Sequence, residues 1–317
     1  MILFGLSTAW NWVVPLWIVA AGAVAASLLV WGLMKLLSVV SPRTEAVVRT
    51  TTKESCSQTL FLAVIALGIV LVFFSALLPY GTLGDDIKMT KDTGLMMILV
   101  LSIILSVSSA SVSVSDEVEG RTALTVLSKP IGRREFVVGK MLGVLLPVAI
   151  YYIILGAFFL AIISYKVKYE AHENSLPPPS VVQCQTEMLN TIPALILCFL
   201  ETIVMTAISV AISTRLAMVP NLLICATIYV VGHMTPLLVQ SSVGKLPIVA
   251  FIGQFLSTLL PVLEHFNIQA AIASGREAVI TTAQWATYIG WAAFYCALYT
   301  GIMLLVSLLM FEDRDLA

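Results

Sequence analysis

Apolar residues in this chain come in long unbroken blocks, and short polar stretches separate them. Blocks of about 20 apolar residues have the length an α-helix needs to cross roughly 30 Å of hydrocarbon. The pattern predicts seven spans: Trp12–Leu37, Gln58–Leu78, Gly94–Val114, Met141–Ser164, Thr191–Ser213, Ala217–Val239 and Ala286–Met310. One further apolar run, Leu246–Leu263, is short, is bracketed by Pro247 and Pro261, and leads into the polar cluster Glu264-His265-Phe266-Asn267. It reads as a re-entrant segment that dips in and returns on one side. The expected fold class is therefore an all-α polytopic membrane protein.

Composition supports this class. Hydrophobic residues make up 59% of the chain and charged ones 11%, where a soluble domain carries about 25%. Mean hydropathy is +1.00. A net charge of −1 identifies no partner and gives no reason to expect nucleic acid. The five cysteines (Cys56, Cys184, Cys198, Cys225, Cys296) are scattered, with neither CxxC nor metal-type spacing. No basic flank precedes the first apolar block, so a removable signal peptide is not expected.

Orientation follows the distribution of Lys and Arg. Lys35, Arg43, Arg49, Lys53, Arg121, Lys129, Arg133, Arg134, Lys140, Arg215 and Arg314 fall on one side. The smaller set of Lys88, Lys91, Lys166, Lys168, Lys245 and Arg276 falls on the other. The richer side is expected to be cytoplasmic, which puts the N-terminus outside and the C-terminus inside. Two outer loops are then predicted. Tyr80–Thr93 is short, acidic and turn-like, and Tyr165–Asn190 is a longer charged loop stiffened by Pro177-Pro178-Pro179.

The charged segment 116–140 lies between two apolar blocks on the cytoplasmic side. Its residues Thr122–Ser128 suit a short helix with Ala123, Leu124 and Leu127 along one side, a stripe able to enter a groove on a partner. Pro130 would end that helix, and Gly132 would permit a sharp turn. Arg133, Arg134 and Lys140 would then face lipid headgroups or an acidic partner surface. A plain juxtamembrane lipid anchor is the alternative.

Glu117-x-Glu119-x-x-Thr122, Leu124, Leu127-Ser128-x-Pro130-Ile131-x-Arg133 and Gly139-Lys140 resemble the signature of type-2 ABC exporter permeases. Further pieces agree: Lys53-Glu54, Ile212-Ser213-Thr214-Arg215, Leu260-Pro261, Phe266-Asn267, Gly275, and Phe311-x-x-Arg314-Asp315-Leu316. The resemblance implies a six-span exporter-type domain over residues 41–317, with residues 1–40 supplying an extra N-terminal span. It also implies a coupling helix within 116–140 that sits on a separate ABC ATPase subunit. Glu117, Glu119, Thr122, Leu124, Leu127, Pro130 and Arg133 are the contact residues it points to. A second permease subunit, identical or related, would complete a dimer in a prokaryotic plasma membrane.

No G-x-x-x-x-G-K-[ST] occurs in the chain, so ATP and Mg are expected on the partner, and this subunit is expected to be non-catalytic with no cofactor of its own. Inside the spans, Glu201 and His233 stand out, because ionisable groups in hydrocarbon are costly and tend to face a bundle interior or a cavity. They could hydrogen-bond each other or line a substrate path. Alternatively, neighbouring Ser, Thr and backbone groups satisfy each of them. A membrane-embedded enzyme using Glu201 and His233 is the competing function, and a force-transmitting subunit that moves no substrate is a third. The serines from Ser102 to Ser115 predict close helix packing. His172 and His265 stand alone.

Overall fold

The computed structural model describes residues 11–78, 85–119, 132–175, 177–240, 251, 253, 255, 260–268, 271–272 and 280–312, with side chains for all of these except 115–119, 235–240 and 311–312. In chain order the helices are α1 (Leu16–Val40), α2 (Pro42–Ser57), α3 (Thr59–Leu77), α4 (Asp86–Glu119), α5 (Arg133–Glu173), α6 (Val181–Ser213), α7 (Met218–Gln240) and α8 (Thr282–Glu312), with a 3-10 turn at Leu263–Phe266 before α8. No strand occurs among the described residues. α1, α3, α4, α5, α6 and α8 are long and apolar enough to cross a membrane, and α7 coincides with the sixth expected span. The chain is an all-α polytopic membrane protein. Most of the Leu246–Leu263 run lies outside the described residues.

α5 and α6 form the centre: α6 packs on α4, α5, α7 and α8, and α5 also carries α1, α2 and α3. The periphery turns its apolar side chains outward. Trp291, Phe294, Leu298, Ile302, Leu305 and Leu309 lie along one exposed stripe of α8, the surface that lipid covers in a membrane helix.

α5 has 41 residues, hence about 60 Å of helix, twice the thickness of hydrocarbon. It must project beyond the membrane. We call the end where α4 stops and α5 starts the near end, and the other the far end. At the far end the helices replace much of both expected loops. α4 begins at Asp86, within the expected turn, while α5 continues to Glu173 and α6 begins at Val181, within the expected long loop.

Ion pairs explain the extension. Lys166 Nζ lies 3.3 Å from Asp86 Oδ2 with both side chains buried, and it donates to the Leu78 carbonyl at 3.3 Å. Lys91 donates to Glu187 at 2.6 Å, tying α4 to α6. Glu170 accepts from the Ile87 N–H at 3.0 Å, so a carboxylate of α5 satisfies an otherwise unpaired donor at the positive start of α4. Local signals set the start of α6. Ser180 Oγ accepts from the Gln183 N–H and Gln183 Oε1 accepts from the Ser180 N–H, a capping box directly after the proline run.

At the near end, α2 runs beside the first turns of α5. Thr44, Val47, Val48, Thr51 and Ser55 are its buried stripe, at helical spacing. Gly139 and Gly143 let the two backbones approach: a Cβ on Gly139 would lie 2.8 Å from Val47 Cβ, and one on Gly143 would lie 2.5 Å from Thr51 Cβ. This is a G-x-x-x-G contact. Pro147, inside α5, has no N–H to offer the carbonyl of Gly143 four residues earlier. The Thr52 hydroxyl of α2 reaches that carbonyl at 3.1 Å.

Two outcomes follow. Gly143→Val should push α2 off α5 and cost about 1–3 kcal/mol in unfolding of the purified protein. Gly290→Ala, which meets nothing within 4 Å, should leave the same transition unchanged. At the far end, Asp86→Ala removes the carboxylate beside the buried Lys166 charge and should cost at most about 3–5 kcal/mol, while the double variant Asp86→Ala, Lys166→Met should recover most of that in the same assay.

Candidate functional site

The sequence offers two candidate regions, and the structure describes them unequally. Of the proposed ATPase contacts, Thr122, Leu124, Leu127 and Pro130 lie outside the described residues. Glu117 and Glu119 belong to the last turn of α4, with side chains outside the description. Arg133 opens α5 and is exposed, as is Arg134. Glu135, in the first turn, accepts from the Gly132 N–H at 2.9 Å and so caps the helix at this corner. The chain thus leaves the bundle at Glu119 and re-enters it at Arg133, at the end where α2 is clasped to α5.

The second region is the polar interior. Ser102 of α4, Tyr152 of α5 and Thr202 of α6 form a triangle of hydroxyls, with oxygens 3.0, 2.8 and 2.9 Å apart. Ser102 also reaches the Leu99 carbonyl and Thr202 the Cys198 carbonyl, so each hydroxyl has an acceptor. Nearer the Arg133 end, Asn221 of α7 donates to Ser111 Oγ at 2.7 Å and Ser209 Oγ at 2.9 Å, joining α4, α6 and α7. Of the serines expected to permit close packing, Ser102, Ser106, Ser108, Ser109, Ser111 and Ser113 are buried, and Ser102 and Ser111 also act as hydrogen-bonding partners between helices.

Glu201 and His233 come together. His233 Nε2 lies 3.5 Å from Glu201 Oε1, an ion-pair distance without hydrogen-bond geometry. Glu201 is 1% exposed, and its Oε1 has no hydrogen-bond partner. His233 turns its other nitrogen inward, with Nδ1 3.2 Å from the Tyr229 carbonyl. Ser109 and Ser113 also have bare hydroxyls, but an unpaired hydroxyl costs far less in a dry interior than an unpaired carboxylate.

Both residues line a cavity that is partly open to the outside. α4 contributes Leu95, Met96 and Leu99, and α6 adds Ala194 and Cys198 beside Glu201. α7 gives Tyr229 with His233, and the far wall is Phe266, Asn267, Ile268 and Ile272. That wall is fixed from behind: Tyr295 Oη accepts from the Val262 N–H at 3.0 Å, and Tyr288 donates to the His265 carbonyl at 2.7 Å. Gly232 lets α7 pass close to it, since a Cβ there would lie 3.1 Å from the Pro261 carbonyl oxygen. Sequence reasoning singled out Glu201 and His233 but missed Tyr229 and Cys198. Their helical spacings to His233 and Glu201, four and three residues, were the available signal.

Tyr152→Phe removes one corner of the hydroxyl triangle. The expected loss is about 0.6 kcal/mol and at most about 1.7, the range for hydrogen bonds between membrane helices, read from unfolding of the purified protein.

Comparison with known proteins gives one finding. The model of the family described as ABC-2 family transporter protein matches residues 79–316, which takes in α4 to α8 and the cavity between them. No curated protein matches the chain. A match over well more than half of the chain, on an all-helical bundle with membrane-spanning helices, decides the family: the chain belongs to the ABC-2 transporters and is a multi-pass membrane permease.

Proposed function

We propose that this chain is the membrane-spanning subunit of an ATP-binding-cassette exporter and works with a separate ATPase subunit that binds ATP and Mg. The observation that carries the reading is the family match across the segment between α4 and α5, whose charged residues resemble a coupling element. The near end would face the cytoplasm and the far end the exterior, as the placement of Lys and Arg suggests. That orientation puts the N-terminus outside, in a prokaryotic plasma membrane. The domain would begin near residue 41 rather than 79, as the sequence resemblance implies, with α2 and α3 packed on α5 inside it.

Mechanically, the ATPases would close on nucleotide and push on residues 116–140. Arg133 starts α5, and α5 carries α2 with it through the Gly139 and Gly143 contacts. Two longer-range charge contacts brace the same pair of helices: Lys140 Nζ lies 4.0 Å from Glu54, and Arg43 lies 3.9 Å from Glu135. A push at the corner would therefore move two helices together and rock the bundle against a second permease subunit, identical or related. Substrate would pass between the two subunits.

The test is co-purification from detergent. Wild type should bring down a P-loop ATPase. A Glu117→Ala, Glu119→Ala, Arg133→Ala variant that inserts normally should bring down at least tenfold less. Failure to recover an ATPase with either protein, under several gentle conditions, contradicts the two-component reading.

A further inference from the structure

We infer that the cavity between α4, α6 and α7 is a binding site for the ammonium group of an amphipathic amine. The Tyr229 carbonyl can only accept, so the 3.2 Å contact places the imidazole hydrogen of His233 on Nδ1. In the neutral ring, Nε2 then carries a lone pair. Opposite it, 3.5 Å away, stands Glu201 Oε1, a second acceptor with no hydrogen bond of its own. Two acceptors that face each other at the wall of a partly open cavity call for a donor, and no described side chain donates to Glu201 Oε1.

Charge narrows the choice of donor. Among the described residues the lining contains no Lys or Arg. A buried carboxyl either keeps a proton or takes an opposite charge together with a hydrogen bond, and an ammonium ligand supplies the second solution. Water could supply the hydrogen bonds but not the charge. A primary ammonium supplies three N–H donors and one positive charge, enough for Glu201 and Nε2 together.

The rest of the wall suits what such a group would be attached to. Leu95, Leu99, Ile268 and Ile272 give the cavity an aliphatic lining suited to an alkyl chain. Tyr229 and Phe266 add aromatic faces, which attract a cation in a desolvated setting. Small-molecule sites have this composition: mostly apolar walls with a few convergent polar groups. The inference rests on the permease reading only in calling the ligand cargo; binding itself requires no ATPase.

Hexylammonium is the probe, with the full-length protein in lipid nanodiscs and the shift of its thermal unfolding followed against ligand concentration. Hexylammonium should stabilise wild type saturably. Hexan-1-ol, of equal chain length but uncharged, should bind at least tenfold more weakly, and so should hexyltrimethylammonium, a cation without N–H donors. Glu201→Gln should lose the preference for the amine. Equal binding of hexan-1-ol and hexylammonium to wild type overturns the site, because the pair is then a self-contained imidazolium–carboxylate contact. Equal binding of hexyltrimethylammonium overturns the two-acceptor geometry, and an unchanged amine preference in Glu201→Gln overturns the role of that carboxylate. The wild-type comparison decides alone if the variant does not fold. An ATPase that co-purifies while no amine binds separates failure of this site from failure of the permease reading.

Discussion

Polar groups carried into hydrocarbon must find their partners within the protein, and this constraint orders the rest of the structure. Pro147 would leave the Gly143 carbonyl bare, and Thr52 of α2 covers it. That single contact explains why a polar helix such as α2 belongs against the central helix α5. The glycines at 139 and 143 make the approach short enough for a hydroxyl to reach. The same demand gathers Ser102, Tyr152 and Thr202 at one point where α4, α5 and α6 meet, and draws Asn221 to the serines of α4 and α6. Hydrogen bonding between helices thereby supplies a specificity that apolar packing alone, in an apolar solvent, would not.

The two ends of the bundle meet the constraint in different ways. At the far end, Lys166 with Asp86 and Lys91 with Glu187 form ion pairs between helices, so the helices run on past the apolar blocks as one packed body. At the near end, the longer charge contacts of Lys140 and Arg43 brace α2 against α5, and exposed arginines mark the corner where the chain enters α5. A tightly paired far end beside a near end rich in exposed charge suits a machine driven from one side. Between the ends lies the exception. Glu201 is buried without a hydrogen bond, 3.5 Å from His233. A group held in so costly a state is where a ligand gains the most by arriving.

The spans were legible because hydrocarbon thickness imprints a length and a composition on the sequence, as Gln58–Leu78 beside the observed Thr59–Leu77 illustrates. The helical extensions were not. Asp86, Lys91, Lys166 and Glu187 are charged residues next to apolar blocks, and hydropathy reads them as loop until their partners on other helices are known. Some of the missing signal was local. Ser180-x-x-Gln183 after three prolines announces a helix start, and Gly139-x-x-x-Gly143 announces a close approach. For the cavity, the sequence marked Glu201 and His233 by their rarity in apolar blocks. It could not show that Met96, Cys198 and Phe266 would share the space, because those neighbours come from three separate parts of the chain.

The central claim is that an ATPase sits on the segment between α4 and α5. The most direct measurement is site-specific photocrosslinking in intact cells, with a photoreactive residue at Leu127 and, as the reference, one at Trp291 on the exposed apolar stripe of α8. The account predicts an adduct with a P-loop ATPase from position 127 and none from position 291. No ATPase adduct from 127, or equal adducts from both positions, would contradict it.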